Sequence, residues 1–141
     1  MSYCIEDLDV YRRCVATAAK ICRLADEAAG RGSAAMGSEL RRRGIAMAAN
    51  LADGLGFWDR EEKERHFTLS KKAVLEALSL LEITAALDLA DADSQRDISV
   101  ELRDLAKMTA GLLRGARRRD ARPDGGKEEA RAVREHHDRY H

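Results

Sequence analysis

Proline is almost absent from this chain. Its 141 residues include one proline, Pro123, and six aromatic residues. Little interrupts or kinks a helix here, because proline is the residue a helix interior tolerates least. Charge of one sign is also missing. Twenty-five Lys and Arg balance 25 Asp and Glu, so the formal net charge is zero. That excludes a polycation that binds nucleic acid along its whole surface, and any such contact has to use a local patch. No run of ~18 apolar residues occurs, so no membrane span is expected. The three cysteines, Cys4, Cys14 and Cys22, are odd in number and follow no signal peptide. Cys14 and Cys22 lie on one predicted helix, ~12 Å apart at 1.5 Å per residue, too far for a disulfide within one chain. A reducing cytoplasm is the expected compartment. The catalytic patterns are missing too: no Ser-His-Asp, Cys-His or phosphate-loop arrangement is present. The Glu-x-x-His pair of a di-iron bundle also fails, since Lys63 precedes His66 by three residues. No cofactor, metal or small-molecule substrate is implied, and the chain reads as a non-enzyme.

Ala, Leu, Arg, Glu and Asp are plentiful, with 45% hydrophobic and 35% charged residues. This composition, at this length, predicts one all-α domain with a single core. From Asp7 to Ala29, Tyr11, Cys14, Val15, Ala18, Ile21, Cys22 and Ala25 recur at helical spacing. Gly30-Arg31-Gly32 breaks that helix, and Ser33 is placed to cap the next. The second helix carries Met36, Leu40, Gly44, Met47 and Leu51 in one stripe, and Gly54 and Gly56 are expected to end it. Asp59 and Glu62 resemble a capping box for a third helix running to about Ala90. That helix has two apolar stripes. One contains Phe67, Ser70, Val74, Ala77, Leu78, Leu81 and Ala85. The other contains Leu69, Ala73, Glu76, Leu80, Ile83 and Leu87. Two stripes ask for two partners, so the second points either to another subunit or to one broad face of a well-buried central helix. Ser94 is expected to cap a fourth helix carrying Ile98, Leu102, Leu105, Thr109 and Leu112. It ends at Arg117-Arg118-Arg119, cations where the helix dipole favours them. Residues 1–119 thus form an antiparallel up-down four-helix bundle. Residues 120–141 form a charged tail that is either a short helix or flexible.

Within this frame several residues match a known pattern. Leu40-Arg41-Arg42, Asn50-Leu51-Ala52-Asp53-Gly54, Phe67 and Glu76 fall in register without a gap, and Asp7-Leu8-Asp9-Val10-Tyr11 fits the start of the first helix. The chain resembles the four-helix-bundle proteins encoded in intervening sequences of bacterial 23S ribosomal RNA genes, over about residues 5–115. It departs from their pattern at Arg43, Ala46, Ala48 and Asp53, and at Phe57-Trp58, where a basic or polar turn is usual. The resemblance implies a non-enzyme that closes into a homo-oligomeric ring, typically a pentamer. A structurally similar bundle, the accessory protein of diversity-generating retroelements, works with a reverse transcriptase and its template RNA, although no specific sequence match to it is visible.

Candidate binding residues follow from charge. Arg41, Arg42 and Arg43 spread over ~300° of helix circumference at ~100° each. They serve either as a phosphate or partner contact or as salt bridges to Glu39, Asp53 or Glu76. Arg114, Arg117, Arg118 and Arg119 form the best contiguous basic run, as helix capping or as an RNA contact. Asn50, Asp53, Gly54 and Glu76 read as structural hallmarks. A carboxylate at Asp53 opposes the helix dipole and calls for a basic or amide partner, and Glu76 on an apolar stripe calls for an arginine from the second helix. Phe57-Trp58 either stacks on a base or plugs the bundle end. Beyond His66, the histidines are His136, His137 and His141, all in the tail. Two functions fit. One is an oligomeric accessory protein that contacts RNA or a nucleic-acid enzyme such as a reverse transcriptase. The other is a protein-assembly scaffold without nucleic-acid binding.

Overall fold

A computed structural model describes residues 5–120, with side chains from Asp7 to Arg118. All regular structure in this span is helical: α1 (Ile5–Gly30), α2 (Ala34–Gly56), α3 (Arg60–Ala86) and α4 (Ala92–Asp120). No helix in it is long and apolar enough to cross a membrane. The expectations for residues 121–141, including His136, His137 and His141, lie outside the described residues.

Each helix stops for an identifiable reason. Gly32, at φ 104°, takes the left-handed conformation that closes α1, and the Ser33 amide reaches back to the Ala28 carbonyl at 3.0 Å. Asp88, at φ 53°, does the same for α3, with the Leu89 amide donating to the Thr84 carbonyl at 3.0 Å. Both are helix-ending motifs that satisfy carbonyls the helix leaves over. The Ser33 hydroxyl accepts from the Met36 amide and starts α2. The start of α4 differs from expectation. Asp91, not Ser94, is the cap: its carboxylate accepts from the Ser94 amide at 3.0 Å and hydroxyl at 3.1 Å, and these bonds hold the Asp91 carboxyl below its ordinary pKa. Asp59 does precede α3, but its side chain makes no capping hydrogen bond, so the expected capping box is not formed. Instead, Lys63 Nζ donates to the Gly54 carbonyl at 2.8 Å and satisfies the end of α2.

The core holds Ile21 of α1, Leu40, Met47 and Leu51 of α2, Phe67, Val74 and Leu81 of α3, and Leu102 and Leu105 of α4. Two sequence assignments change. Val15 and Cys22 are not core residues: Val15 is exposed and Cys22 half-buried, because Cys14, Ala18, Ile21 and Ala25 form the buried face of α1. Thr84 takes the core position assigned to Ala85, its hydroxyl satisfied by the Leu80 carbonyl at 2.6 Å. Burial raises the Cys14 thiol to about 12, which keeps it protonated and inert.

Glycine sets how closely α2 packs. A Cβ on Gly37 would lie 2.8 Å from the Ala25 carbonyl oxygen, and one on Gly44 3.3 Å from Ile21. Gly54 does not end α2 as expected; it lies inside the helix, under the Phe67 ring, where a Cβ would approach to 2.5 Å. On the far side of the same interface, Ser70 donates to the Met47 carbonyl at 2.7 Å. Helix α2 thus packs closely against both α1 and α3, while α1 and α4 meet more sparsely. That fourth seam is bridged by polar groups. Arg13 pairs with Asp104 at 3.4 Å, and Glu101 pairs with Lys20 and accepts from Thr17 at 2.9 Å. Partial burial pushes the Glu101 carboxyl up, but Lys20 and Thr17 outweigh it and its pKa falls below 4.5. Its contribution to stability is therefore present above pH 4.5 and is lost as pH falls through the lower folded value.

Substituting Gly54 by Ala tests this packing. Alanine gains ~1 kcal/mol of helix propensity over glycine, whereas overpacking against a buried ring costs ~1–3 kcal/mol. Gly54→Ala is therefore expected to lower stability by about 1 kcal/mol in denaturant titration; an unchanged or raised midpoint would rule the packing out.

Candidate nucleic-acid interface

The three consecutive arginines of α2 have partners in the bundle. Arg41 pairs with Asp26 of α1 and donates to the Cys22 carbonyl at 3.5 Å. Arg43 reaches Glu39 at 3.3 Å and pairs through Nε with Glu76 of α3. That Nε is buried and makes no aligned hydrogen bond, so the contact is a charge pairing across the α2–α3 interface. Arg42 is two-thirds exposed and meets Glu39 only at 4.0 Å. Glu76 therefore has the arginine its position requires, and two of the three cations are largely neutralised.

The hallmark residues gather at the other end of α2. Asn50 donates to the Ala46 carbonyl at 2.9 Å, and its carbonyl oxygen faces His66 Nδ1 at 3.4 Å. His66 is buried, stacked on Phe57 with ring centroids 5.1 Å apart. Asp53 lies 3.8 Å from the same Nδ1, and Glu62 lies 3.5 Å from Nε2. His66 is a basic group near Asp53, although at 3.8 Å the two make no hydrogen bond, and Lys63 satisfies carbonyls at the helix end. One face of the half-buried Phe57 ring is stacked on His66, where no base can reach it, and Trp58 is half-buried too. No group of three or more His, Cys, Asp and Glu side chains among the described residues is placed to hold a metal.

The basic run at the end of α4 divides. Arg117 turns toward α3 and pairs with Glu64 at 3.5 Å. Arg114 and Arg118 stay exposed and hold no carboxylate among the described residues; Arg118 Nε reaches only the Arg114 carbonyl, at 3.5 Å. The side chain of Arg119 lies outside the described residues. Arg103 and Lys107, which belong to no run of adjacent arginines, continue the row. Both are exposed and free of carboxylate partners among the described residues. Positions 103, 107, 114 and 118 follow one another at intervals of four, seven and four residues. At ~100° per residue these positions share one side of the helix over ~22 Å. Their periodicity was the available signal; a search for consecutive arginines misses it. Of the acidic residues on the neighbouring face, Glu101 and Asp104 are already paired with α1. The outer face of α4 therefore presents four uncompensated cations, suited to an anionic polymer.

Removing the interhelical pair tests its worth. In a double-mutant cycle on Arg43→Ala and Glu76→Ala, the coupling is expected at about 1 kcal/mol, because both groups are partly shielded and removing one strands the other. A coupling indistinguishable from zero would reduce the pair to an ordinary surface contact.

A family model for the 23S rRNA-intervening sequence protein matches residues 6–111. No curated protein and no solved structure matches the chain. The match takes in the Asn50–Gly54 stretch, Phe67 and Glu76 and stops before Arg114. Since that match spans most of the sequence and all four described helices fall largely within it, the chain belongs to the 23S rRNA-intervening sequence protein family.

Proposed function

We propose that this protein is a non-catalytic, cytoplasmic accessory protein. In this reading it binds RNA through the outer face of α4 and works as a homo-oligomeric ring of antiparallel up-down bundles, a pentamer by family resemblance. One observation carries the RNA reading: in a chain of zero net charge, Arg103, Lys107, Arg114 and Arg118 form a row without carboxylate partners among the described residues. Each can neutralise a phosphate and release a counterion. Copies arranged in a ring multiply a weak patch by avidity. Arg41 and Arg43 are secondary candidates, because their charge is already engaged. A reverse transcriptase is the proposed class of protein partner, on the structural analogy alone.

The opposing packing directions of the helix pairs support the antiparallel reading. Gly37 lies against Ala25 and Gly44 against Ile21, and Gly54 lies against Phe67 where Met47 meets Ser70. Exposed aliphatic residues support assembly. Leu69 and Ile83 of α3 and Leu87 just after it lie exposed, with Leu87 at 59% exposure, while Val15 and Ile45 lie on the α1–α2 side, with Ile45 at 57%. Two separate patches suit a head-to-tail contact that closes into a ring. The same patches favour a second reading, a protein-assembly scaffold without nucleic-acid binding.

A mobility-shift titration with single-stranded and structured RNA separates the two. Replacing Arg103, Lys107, Arg114 and Arg118 together by Gln is expected to weaken binding at least ~100-fold at low salt. It is also expected to flatten the salt dependence by roughly one unit for each phosphate no longer neutralised. Arg41→Gln/Arg42→Gln is expected to change affinity less than ~3-fold. No RNA association of the parent protein at low salt would leave the scaffold reading.

A further inference from the structure

Helix α3 carries a stretch poor in acid beside the cation row of α4. Between Glu64 and Glu82 its only carboxylate is Glu76, which pairs with Arg43 on the α2 side. On α4, Asp104 is the only carboxylate from Arg103 to Arg118, and it pairs with Arg13 of α1. In the antiparallel reading of the bundle these two stretches lie side by side. Arg117 meets Glu64 at 3.5 Å. Eleven residues make almost three whole turns, so eleven steps on from Glu64 and eleven back from Arg117 bring the same two helix sides together again, ~16 Å away. The residues reached are Leu75 and Ala106. Burial agrees with this seam: Glu64, Lys71 and Leu78 of α3 and Ser99, Ala106 and Ala110 of α4 are all half-buried. Just outside it, Leu75 is 50% exposed and Lys72 is exposed. Neither Lys71 nor Lys72 holds a carboxylate among the described residues.

We propose that this strip of α3 receives the bases of a single-stranded RNA whose phosphates follow Arg103, Lys107, Arg114 and Arg118 of α4. The inference rests on the RNA reading above and adds the form of RNA that is bound. Leu75 selects it. A duplex presents phosphates and 2′-hydroxyls outward and keeps its base faces stacked inside, so an exposed leucine among cations gives it nothing to hold. A single strand has free base faces, which any apolar platform covers without regard to sequence. Neighbouring helix axes lie ~8–10 Å apart, a span that a nucleotide bridges from its phosphate to its base. With phosphates on α4, the bases therefore reach α3 at Leu75. There Lys71 and Lys72 donate N–H groups to base carbonyls and ring nitrogens.

A mobility-shift comparison at low salt, using a single strand and a duplex of the same length, tests this. The parent protein is expected to bind the single strand at least ~10-fold more tightly. Leu75→Gln is expected to weaken the single strand ~5-fold and the duplex less than ~2-fold, with the salt dependence of both unchanged. Leu75→Trp, which sets an aromatic platform at the same place, is expected to tighten the single strand ~3-fold or more and leave the duplex as it was. Circular dichroism checks that both variants keep the helical content of the parent. A duplex bound as tightly as the single strand, or Leu75 variants that move both forms alike, would overturn the proposal and leave the α4 row standing. No binding of either form by the parent protein would remove the RNA reading and this inference together.

Discussion

The close seating of α2 between α1 and α3 governs the other features of the bundle. Gly37 and Gly44 remove the side chains that would hold α1 away, and Gly54 lets the Phe67 ring lie against the α2 backbone. At this separation Ser70 can reach the Met47 carbonyl, and Arg43 can reach Glu76. The short Ser70 side chain depends most on this separation, since interiors this tightly packed respond to single carbon atoms. The same packing seats Phe57 and His66 beside Asn50 at the end of α2.

Close packing also decides which charges remain available. Arg41 and Arg43 point along the α1 and α3 interfaces, where Asp26, Glu39 and Glu76 neutralise them. On the opposite side, Arg13 and Lys20 of α1 consume the acidic residues of the α4 seam, Asp104 and Glu101. What is left includes a row of four cations on the outer face of α4. A molecule with no net charge thus acquires a local field through the way its ion pairs are distributed, and its formal charge alone does not reveal this.

Much of the fold was legible because the signals were local. Four helices follow from apolar spacing, and the turn at Gly32 and the cap at Ser33 follow from residue type. The Glu76 pairing was legible because a carboxylate on an apolar stripe admits few solutions. The misread positions all depend on three-dimensional context. Gly54 resembles a terminator until Phe67 is placed above it. Ala85 and Thr84 are adjacent in the chain, and only the Leu80 carbonyl explains why the hydroxyl faces inward. Asp91 and Ser94 are both competent caps, and the chain direction after Asp88 selects Asp91. The candidate binding residues were read as runs of adjacent arginines, whereas adjacent residues on a helix point in different directions. Arg103 and Lys107 became visible as part of a row only once α4 was set against its neighbours.

Packing of α2 engages Arg41 and Arg43 in ion pairs, and the proposed anion-facing surface is the outer face of α4. Photo-crosslinking of a bound RNA to the protein, read by peptide mass spectrometry, decides whether this is so. If it is, crosslinks concentrate on peptides carrying residues 103–118, with few on those carrying residues 41–43. Crosslinks centred on Arg41–Arg43, with α4 unmarked, would refute it.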